Sequence, residues 1–313
     1  MTFMNMEKIG VASKLKAAHF ELPRAEALKA AFGKCVEEYY LSRQIEDLEV
    51  RGLVVTGHSR VGKSLELKKL RREFNESGTL MPDGRPAKIV SCVLSGRVTF
   101  KDLGIKTLLA LGYDLQRNRT QEYIWERVLD QAQEQGVIGI HYDECQHVFG
   151  DNAKSNKVFL DSFKTMMKEP RWPMMMILSG VHTLTGYIQS YEQLYELVDH
   201  VHFKTIKFGR DKNLLNRLVF AFADEANIEV EHLVTPDFLA RLDHACSSRW
   251  GLVIELLIDT LVTARMGGKT HLIIEDFAKQ FAISKGIPKQ YSPFTAPDFR
   301  EAFDPQRLLD LTR

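Results

Sequence analysis

Short apolar runs alternate with amphipathic stretches along the first two thirds of the chain. The apolar runs span 50–56, 88–94, 137–142, 174–179 and 201–208. Runs of this length that are apolar nearly throughout are typical of parallel strands buried on both faces of a sheet. Apolar residues at helical spacing predict helices between the runs, at 63–77, 119–135, 155–169 and 184–198. The alternation predicts an α/β fold with a doubly wound parallel sheet.

The pattern changes near residue 209, beyond which almost no strand signal remains. Helix-start residues and helically spaced apolar residues predict four helices there, at 211–226, 236–245, 250–266 and 275–285. Helix formers also dominate the start of the chain. We therefore expect a helical extension over 1–48, an α/β domain over 49–209, a smaller all-helical domain over 210–286, and an extended tail on a surface over 287–313.

Composition limits the partners that the whole molecule could attract. The 313 residues are 44% hydrophobic and 27% charged, and the formal net charge is +1. This is ordinary globular composition, and it creates no global field that would draw the protein to nucleic acid or to anionic lipid. Any DNA contact therefore has to come from a local patch.

The cysteines, the apolar runs and the first residues exclude further classes of protein. The cysteines are scattered, so neither a disulfide framework nor a zinc knuckle is indicated; they are Cys35, Cys92, Cys145 and Cys246. No apolar run approaches the ~18 residues that a membrane span needs. The start lacks the basic and apolar regions of a secretory signal. We expect a cytoplasmic protein without a membrane partner.

A glycine-rich segment follows the first predicted strand directly. It matches the pattern G-x4-G-K-[ST] and consists of Gly57, His58, Ser59, Arg60, Val61, Gly62, Lys63 and Ser64. The glycines let the backbone curl so that N–H groups point at phosphate oxygens, and the following helix adds the positive end of its dipole. Lys63 is expected to neutralise the β- and γ-phosphates, and the Ser64 hydroxyl to complete the shell of a magnesium ion. The segment predicts a site for ATP with Mg²⁺.

Two adjacent carboxylates, Asp143 and Glu144, follow the predicted strand over 137–142. In NTPases with such a phosphate loop, the first acid holds magnesium and the second can polarise the attacking water as a general base. The competing interpretation is a metal site formed by His141, Cys145 and His147. We favour the nucleotide, because His141 lies inside the strand pattern and the intervening acids already have a role.

The strand between the phosphate loop and the acid pair, the glutamate after Asp143 and the helical C-terminal part together resemble the AAA+ superfamily. Within it, the segment Asp143-Glu144-Cys145-Gln146-His147-Val148-Phe149 is similar to the DEAQHL-like segment of TniB/TnsC-type transposition ATPases. The resemblance covers residues 20–285. It implies that 49–209 is an AAA+ nucleotide-binding domain and that 210–286 is its lid.

The resemblance implies roles for two further residues and leaves one role open. Ser179, at the end of the fourth predicted strand, would be sensor 1 and read the γ-phosphate, and Arg249 would be sensor 2. Many AAA+ proteins carry an arginine finger just before the fifth strand, but residues 193–200 contain no arginine. Either Arg171 or Arg210 serves instead, or hydrolysis is slow without a partner.

By this resemblance the protein is an ATPase that regulates DNA transposition. It would form a homo-oligomer, as a ring or a filament, on double-stranded target DNA and recruit or license a transposase, with hydrolysis driving disassembly. A TniQ-like targeting protein would be a further partner. Two alternatives stay open: an ATP switch that acts as an interaction platform, and an AAA+ loader in DNA replication or repair.

Basic residues after the second predicted strand are the candidate DNA contacts. They are Arg97, Lys101 and Lys106, in a region that ends with Arg117 and Arg119. In AAA+ rings this part of each subunit tends to face the central channel, so the resemblance implies that a few cations per subunit add up around the DNA. Alternatively, these residues are solvated side chains on a helix surface.

Overall fold

The chain divides into two units, Pro23–Lys204 and a unit that joins Met1–Leu22 to Thr205–Arg313. The computed structural model describes residues 4–45, 48–115 and 119–305. Helix α1 (Met6–Ala17) belongs to the second unit, although the sequence analysis grouped it with the rest of 1–48. Helix formers show that a helix is present, but they carry no information about the unit against which it packs.

A five-stranded parallel sheet forms the middle of the unit Pro23–Lys204. Its strands, β1 to β5 in chain order, are Gly52–Gly57, Lys88–Val93, Val137–Asp143, Met175–Gly180 and Val198–Phe203. The spatial order is β2-β3-β4-β1-β5, and every pairing is parallel. β1, β3 and β4 are buried along their full length, as continuous apolar runs predict. The predicted α/β class with a parallel sheet is confirmed.

Helices precede and connect these strands, and most of them pack on the sheet. They are α2 (Pro23–Ser42), α3 (Lys63–Glu76), α4 (Phe100–Ala110), α5 (Gln121–Gln135), α6 (Ala153–Met167), α7 (Thr183–Gln189) and α8 (Glu192–Tyr195). The predicted helices that correspond to α3, α5 and α6 agree with the structure to within two residues at each end. Their amphipathic pattern is regular, because one face of each lies on the sheet.

Two parts of this unit differ from the prediction. Helix α4 was not predicted, although Thr99 and Asp102 form a capping box at its start. The predicted helix over 184–198 is instead α7 and α8, and β5 begins at Val198 rather than at the predicted residue 201. As an edge strand, β5 is buried at only some of its positions, so it lacks the continuous apolar run of a central strand.

The second unit is helical. Beyond α1 it contains α9 (Phe208–Ala226), α10 (Pro236–Ala245), α11 (Trp250–Met266), α12 (Ile274–Lys285) and α13 (Phe299–Ala302). The four helices predicted for this region are all present. Helix α1 packs on α9 and α11, with Leu15 buried in the common core and Lys14 paired to Glu225 at 3.1 Å. Over the residues described, neither unit has a helix both long enough and apolar enough to cross a membrane.

The described part of the predicted tail completes the core of the helical unit. Phe294 is buried, and the centroid of its ring lies 5.6 Å from that of Phe277. The guanidinium of Arg241 donates to the carbonyl oxygens of Pro293 and Ala296, at 2.7 and 2.6 Å. This segment is packed into the unit, not laid along its surface, because its aromatic residues have the area to fill a core.

Candidate nucleotide-binding site

The phosphate loop leaves the sheet at Gly57 and enters helix α3 at Lys63. Two glycines let it pass close to neighbouring atoms. A Cβ on Gly57 would lie 2.6 Å from the carbonyl oxygen of Phe203, and one on Gly62 would lie 2.7 Å from Nη2 of Arg24. Gly62 also has a φ of 102°, in the left-handed region that side chains disfavour. The loop therefore requires glycine at both positions that the motif specifies.

Lys63 folds its side chain back across this loop. Its ammonium donates to the carbonyl oxygens of Gly57 and His58 at 3.0 and 2.9 Å, and the residue is 5% exposed. Val61, within the loop, is also buried. The exposed members of the loop are His58, Ser59, Arg60 and Ser64. A buried cation beside the first turn of a 14-residue helix is suited to binding an anion.

The acid pair lies at the carboxyl end of β3, next to the end of β4. Asp143 is 8% exposed, and its Oδ1 accepts hydrogen bonds from Oγ of Ser179 at 2.6 Å and from the N–H of Glu144 at 3.0 Å. Glu144 has a φ of 57°. A left-handed conformation at a non-glycine residue costs on the order of 1–3 kcal/mol, and such residues are enriched at functional sites. The strain falls on the residue that the sequence predicts to be the general base.

A glutamine holds the carboxylate of Glu144. Gln146 donates from Nε2 to Oε2 of Glu144, and its Oε1 accepts the N–H of Val181 at 3.2 Å. A Cβ on Gly180 would lie 2.3 Å from that Oε1, so this bridge requires a glycine at the end of β4. The end of β4 thus reaches both acids, one through Ser179 and the other through Gln146.

Ser179 is also linked to His141, which lies inside β3. Nε2 of His141 is 2.8 Å from Oγ of Ser179, and its Nδ1 is 3.0 Å from Oγ of Ser91 on β2. His141 is 4% exposed, and burial lowers the pKa of its imidazole, so the ring is neutral at pH 7. Both ring nitrogens are engaged by serines, which removes His141 from the metal site considered with Cys145 and His147.

Residues 49–188 match the family model of the AAA domain. The strand order β2-β3-β4-β1-β5, with the phosphate loop directly after β1 and the acid pair after β3, agrees with that match. The chain has an AAA+ P-loop NTPase fold. No curated protein matches it.

Solved structures with a similar fold align with a larger part of the chain than the matched segment. The ORC2 protein of Aeropyrum pernix, in ADPNP-ADP complexes, is 14% identical, with a TM-score of 0.57 over 80% of this chain and 67% of that chain. Cdc6p of Pyrobaculum aerophilum is 14% identical, with a TM-score of 0.57 over 88% of this chain and 74% of that chain. Drosophila ORC bound to DNA is 10% identical, with a TM-score of 0.57 over 93% and 70%. At these identities the likeness establishes the fold alone.

Arg24 lies beside the phosphate loop, and the sequence did not reveal this position. Its guanidinium lies 5.2 Å from the centroid of the Phe203 ring, beside Gly62. Burial lowers the pKa of Arg24 to about 10, and the carboxylate of Glu66 opposes that shift, so the side chain stays charged at pH 7. Its Nε and Nη1 are buried and have no hydrogen-bond partner among the described residues. No spacing rule connects the start of α2 with the phosphate loop.

Three imidazoles lie along the start of the phosphate loop. The ring centroids of His58 and His182 are 4.4 Å apart, and those of His182 and His202 are 4.6 Å apart. Nδ1 of His202 lies 3.2 Å from Oγ1 of Thr56 on β1. Burial, with His182 as the second cause, lowers the pKa of His202. Only His58 was expected here, because the other two histidines come from the ends of β4 and β5.

The candidate DNA contacts lie in the loop before α4 and along this helix. Arg97 is exposed in the loop before this helix, whereas Lys101 and Lys106 are half-buried on it. Burial raises the pKa of Cys92 to about 11, and the ammonium of Lys106 opposes the rise, so Lys106 lies close to β2. Five positions on a helix correspond to a rotation of about 140°, so the two lysines point in different directions. Arg117 lies outside the described residues.

The remaining predicted arginines already have partners or are buried. Arg171 pairs with Glu126 at 2.8 Å. Arg210 pairs with Asp211 at 2.7 Å. Arg249, the sensor 2 candidate, is 6% exposed and precedes α11 in the helical unit. The assignment of an arginine finger and of sensor 2 therefore stays a prediction.

ATP and Mg²⁺ fit the side chains at this candidate site. The carboxylate of Asp143 and the hydroxyl of Ser64 are oxygen ligands, which Mg²⁺ prefers. The buried ammonium of Lys63 supplies the positive charge that a triphosphate requires. The half-buried carboxylate of Glu144 is held in place by Gln146. Together these side chains provide a cation for the phosphates, oxygen ligands for Mg²⁺ and a carboxylate that can accept a proton.

Proposed function

We propose that this protein is a magnesium-dependent ATPase whose ATP-bound form assembles on double-stranded DNA. The observation that carries the proposal is the position of Lys63, Asp143 and Glu144 at the carboxyl ends of β1 and β3, the two neighbours of β4 in the parallel sheet. An anion cradle, a magnesium carboxylate and a general base are the three parts that hydrolysis of ATP requires.

Each residue of the site has one task in this proposal. Lys63 neutralises the β- and γ-phosphates, and Ser64 and Asp143 hold the magnesium ion. Bound Mg²⁺ would offset the negative charge on the transferred phosphoryl group. Glu144 accepts a proton from the attacking water at a carboxylate oxygen. Gln146 keeps that carboxylate in one orientation, which positions the base before the water arrives.

Among ATPases that act on DNA, a regulator of transposition is our first candidate. Its support is the segment Asp143–Phe149, which is similar to the DEAQHL-like segment of TniB/TnsC-type proteins. In this role the protein forms an ATP-dependent homo-oligomer, a ring or a filament, around or along the DNA. Arg97, Lys101 and Lys106 contact the phosphate backbone. A transposase and a TniQ-like targeting protein are its partners.

A loader in DNA replication or repair is the second candidate. Its support is the likeness to ORC and Cdc6 proteins, which extends over 80–93% of this chain, and the fact that the Drosophila ORC structure is bound to DNA. Both candidates require ATP-dependent binding to DNA, and they differ in the protein that is then recruited. Neighbouring genes distinguish them, since an integrase-type transposase gene beside this one favours the first candidate.

ATP-dependent DNA binding is the property that tests the proposal. We expect a labelled duplex to show higher fluorescence anisotropy with this protein and MgATP than with MgADP, in buffer of low ionic strength. Lys63→Ala removes the buried cation, so calorimetry is expected to show MgATP affinity reduced by more than about tenfold. The variant's DNA binding should then no longer respond to ATP. Lys68→Ala, which removes an exposed lysine from the same helix, is the matched control.

The experiment tests ATP binding at the phosphate loop and ATP-dependent binding to DNA separately. Unchanged MgATP affinity in Lys63→Ala would remove the assignment of the phosphate loop. Normal MgATP binding by the parent, without any ATP-dependent binding to the duplex, would leave an ATP-binding protein and remove its role on DNA.

A further inference from the structure

A chain of hydrogen bonds crosses three neighbouring strands and ends on the acid assigned to magnesium. It runs from Ser91 on β2 to His141 on β3 at 3.0 Å, and from His141 to Ser179 on β4 at 2.8 Å. Ser179 then donates to Oδ1 of Asp143 at 2.6 Å. The chain uses no atom of the phosphate loop, and the proposed mechanism gives no task to His141.

The direction of these bonds follows from the chemistry of the groups. A carboxylate only accepts, so the single hydroxyl proton of Ser179 is directed at Asp143. The oxygen of Ser179 must then accept from His141, which places a proton on Nε2 of the imidazole. The histidine therefore sets the rotation of the serine hydroxyl, and the hydroxyl in turn holds one oxygen of the aspartate.

We propose that His141 is a positioning residue for the magnesium site and that it acts through Ser179 on Asp143. In this arrangement Ser179 serves the metal carboxylate, and its hydroxyl proton is not available to the γ-phosphate that sensor 1 was expected to read. The inference rests on the proposed function, because it needs Asp143 to be the magnesium ligand. Groups that orient metal ligands in this way typically change metal affinity or activity 10–100-fold when they are removed.

A histidine can also be buried in a sheet for packing alone, and two substitutions separate these possibilities. His141→Phe keeps a ring of similar size but removes the Nε2 donor. In His141→Gln the side chain fits the space of the imidazole ring less well, but its amide keeps an N–H donor at a comparable distance from the backbone. A packing role favours the phenylalanine, whereas a positioning role favours the glutamine.

The measurement is a Mg²⁺ titration of the full chain in the presence of a fluorescent ATP analogue. The emission of the analogue reports its binding. In His141→Phe we expect the Mg²⁺ concentration at half-saturation to rise by about tenfold or more, with His141→Gln closer to the parent. Binding of the analogue without Mg²⁺ should be unchanged in both, because Lys63 and the loop are intact. At saturating Mg²⁺, the rate of ATP hydrolysis by His141→Phe should return much of the way to the parental rate. His147→Phe changes an exposed histidine nearby and is the control.

Three results decide the matter. If the parent shows no Mg²⁺-dependent binding of the analogue, the proposed function itself fails. If the parent does, and His141→Phe has the parental Mg²⁺ requirement, then His141 only packs and the inference is overturned. If His141→Phe does not fold, as thermal unfolding would show, Ser179→Ala interrupts the same chain one step closer to Asp143. A parental Mg²⁺ requirement in that variant also overturns the inference.

Discussion

Gln146 donates a hydrogen bond to the carboxylate of Glu144 and accepts one from the backbone N–H of Val181. The proposed general base is therefore tied to the strand end that follows Ser179. The backbone of Glu144 is left-handed and is not part of a regular strand or helix. The hydrogen bonds of Gln146 hold the side chain of Glu144 instead. The proposed base and the proposed magnesium ligand are thus both held from the end of β4, through Val181 and Ser179 respectively.

Removal of this bridge should slow hydrolysis. In Gln146→Ala the carboxylate of Glu144 regains rotational freedom, and misplacement of a reacting group by about 1 Å can cost up to about a hundredfold in rate. We expect a lower kcat with little change in the affinity for MgATP, measured by steady-state phosphate release and calorimetry. A higher kcat would mean that Gln146 restrains the base instead of orienting it.

Gly180→Ala tests the same bridge without substituting Gln146 or Glu144 itself. The new Cβ would take the place now used by Oε1 of Gln146, which lies 2.3 Å away. We expect it to lower kcat in parallel with Gln146→Ala, and we expect the double variant to be no worse than either single one. Additive losses in the double variant would show that the two substitutions act through different contacts.

Hydrolysis should require Glu144, and ATP binding should not. Glu144→Gln keeps the size and the hydrogen-bonding ability of the side chain but removes the base, which typically contributes on the order of 10²–10⁴ in rate. We expect the variant to bind ATP and to remain in its assembled state, as measured by light scattering over time. Glu192→Gln, an exposed glutamate on α8, is the control.

The opposite outcomes are informative. Parental turnover in Glu144→Gln would place the base elsewhere. Loss of turnover without any effect on disassembly would favour the ATP switch that acts as an interaction platform.

DNA binding should depend on the basic residues at the start of α4. Arg97→Ala combined with Lys101→Ala removes two cations, so we expect weaker binding to all duplex sequences and a log–log salt slope that is shallower by about two. MgATP affinity should not change. Lys68→Ala combined with Arg72→Ala removes two exposed cations from α3 and is the matched control. Equal losses in the two double variants would show a diffuse electrostatic effect instead of a contact surface.

The fold of the phosphate loop should depend on the pair formed by Arg24 and Glu66. Glu66 is 6% exposed, and the two side chains interact electrostatically. Arg24→Met leaves the buried carboxylate of Glu66 without this nearby cation, and an uncompensated buried charge is destabilising. We expect a lower midpoint in urea unfolding. The double variant with Glu66→Met should recover most of the loss, and a double variant as unstable as Arg24→Met would exclude the pair as the cause.

The sequence predicted the parts of the fold in which burial is uniform along an element. β1, β3 and β4 are buried throughout and appear as continuous apolar runs. The edge strand β5 is buried at only some positions, so its start was misplaced. Helix α4 has a capping box at Thr99 that could have revealed it. Residues 1–22 join the helical unit through packing that no local pattern records.

The residues of the candidate site also fall into a group that the sequence reveals and a group that it does not. The residues of the phosphate loop and the acid pair are contiguous, so a motif identifies them. The partners of these residues are not contiguous. Ser91, His141 and Ser179 meet because β2, β3 and β4 are neighbours in the sheet, and the order of strands is not contained in the hydrophobic pattern. Arg24 likewise reaches the loop from a distant part of the chain, the start of helix α2.

Helix α1 packs against α9 and α11, although the whole unit Pro23–Lys204 lies between them in the chain. On a ribosome, α1 emerges before the sheet and α11 emerges only after the sheet is complete, and domains generally fold as units during synthesis. Leu15, which is buried in the finished protein, stays uncovered throughout that interval. Helix α1 is therefore made before the sheet but reaches its place only after it, and the nascent chain carries an uncovered apolar helix face during that time.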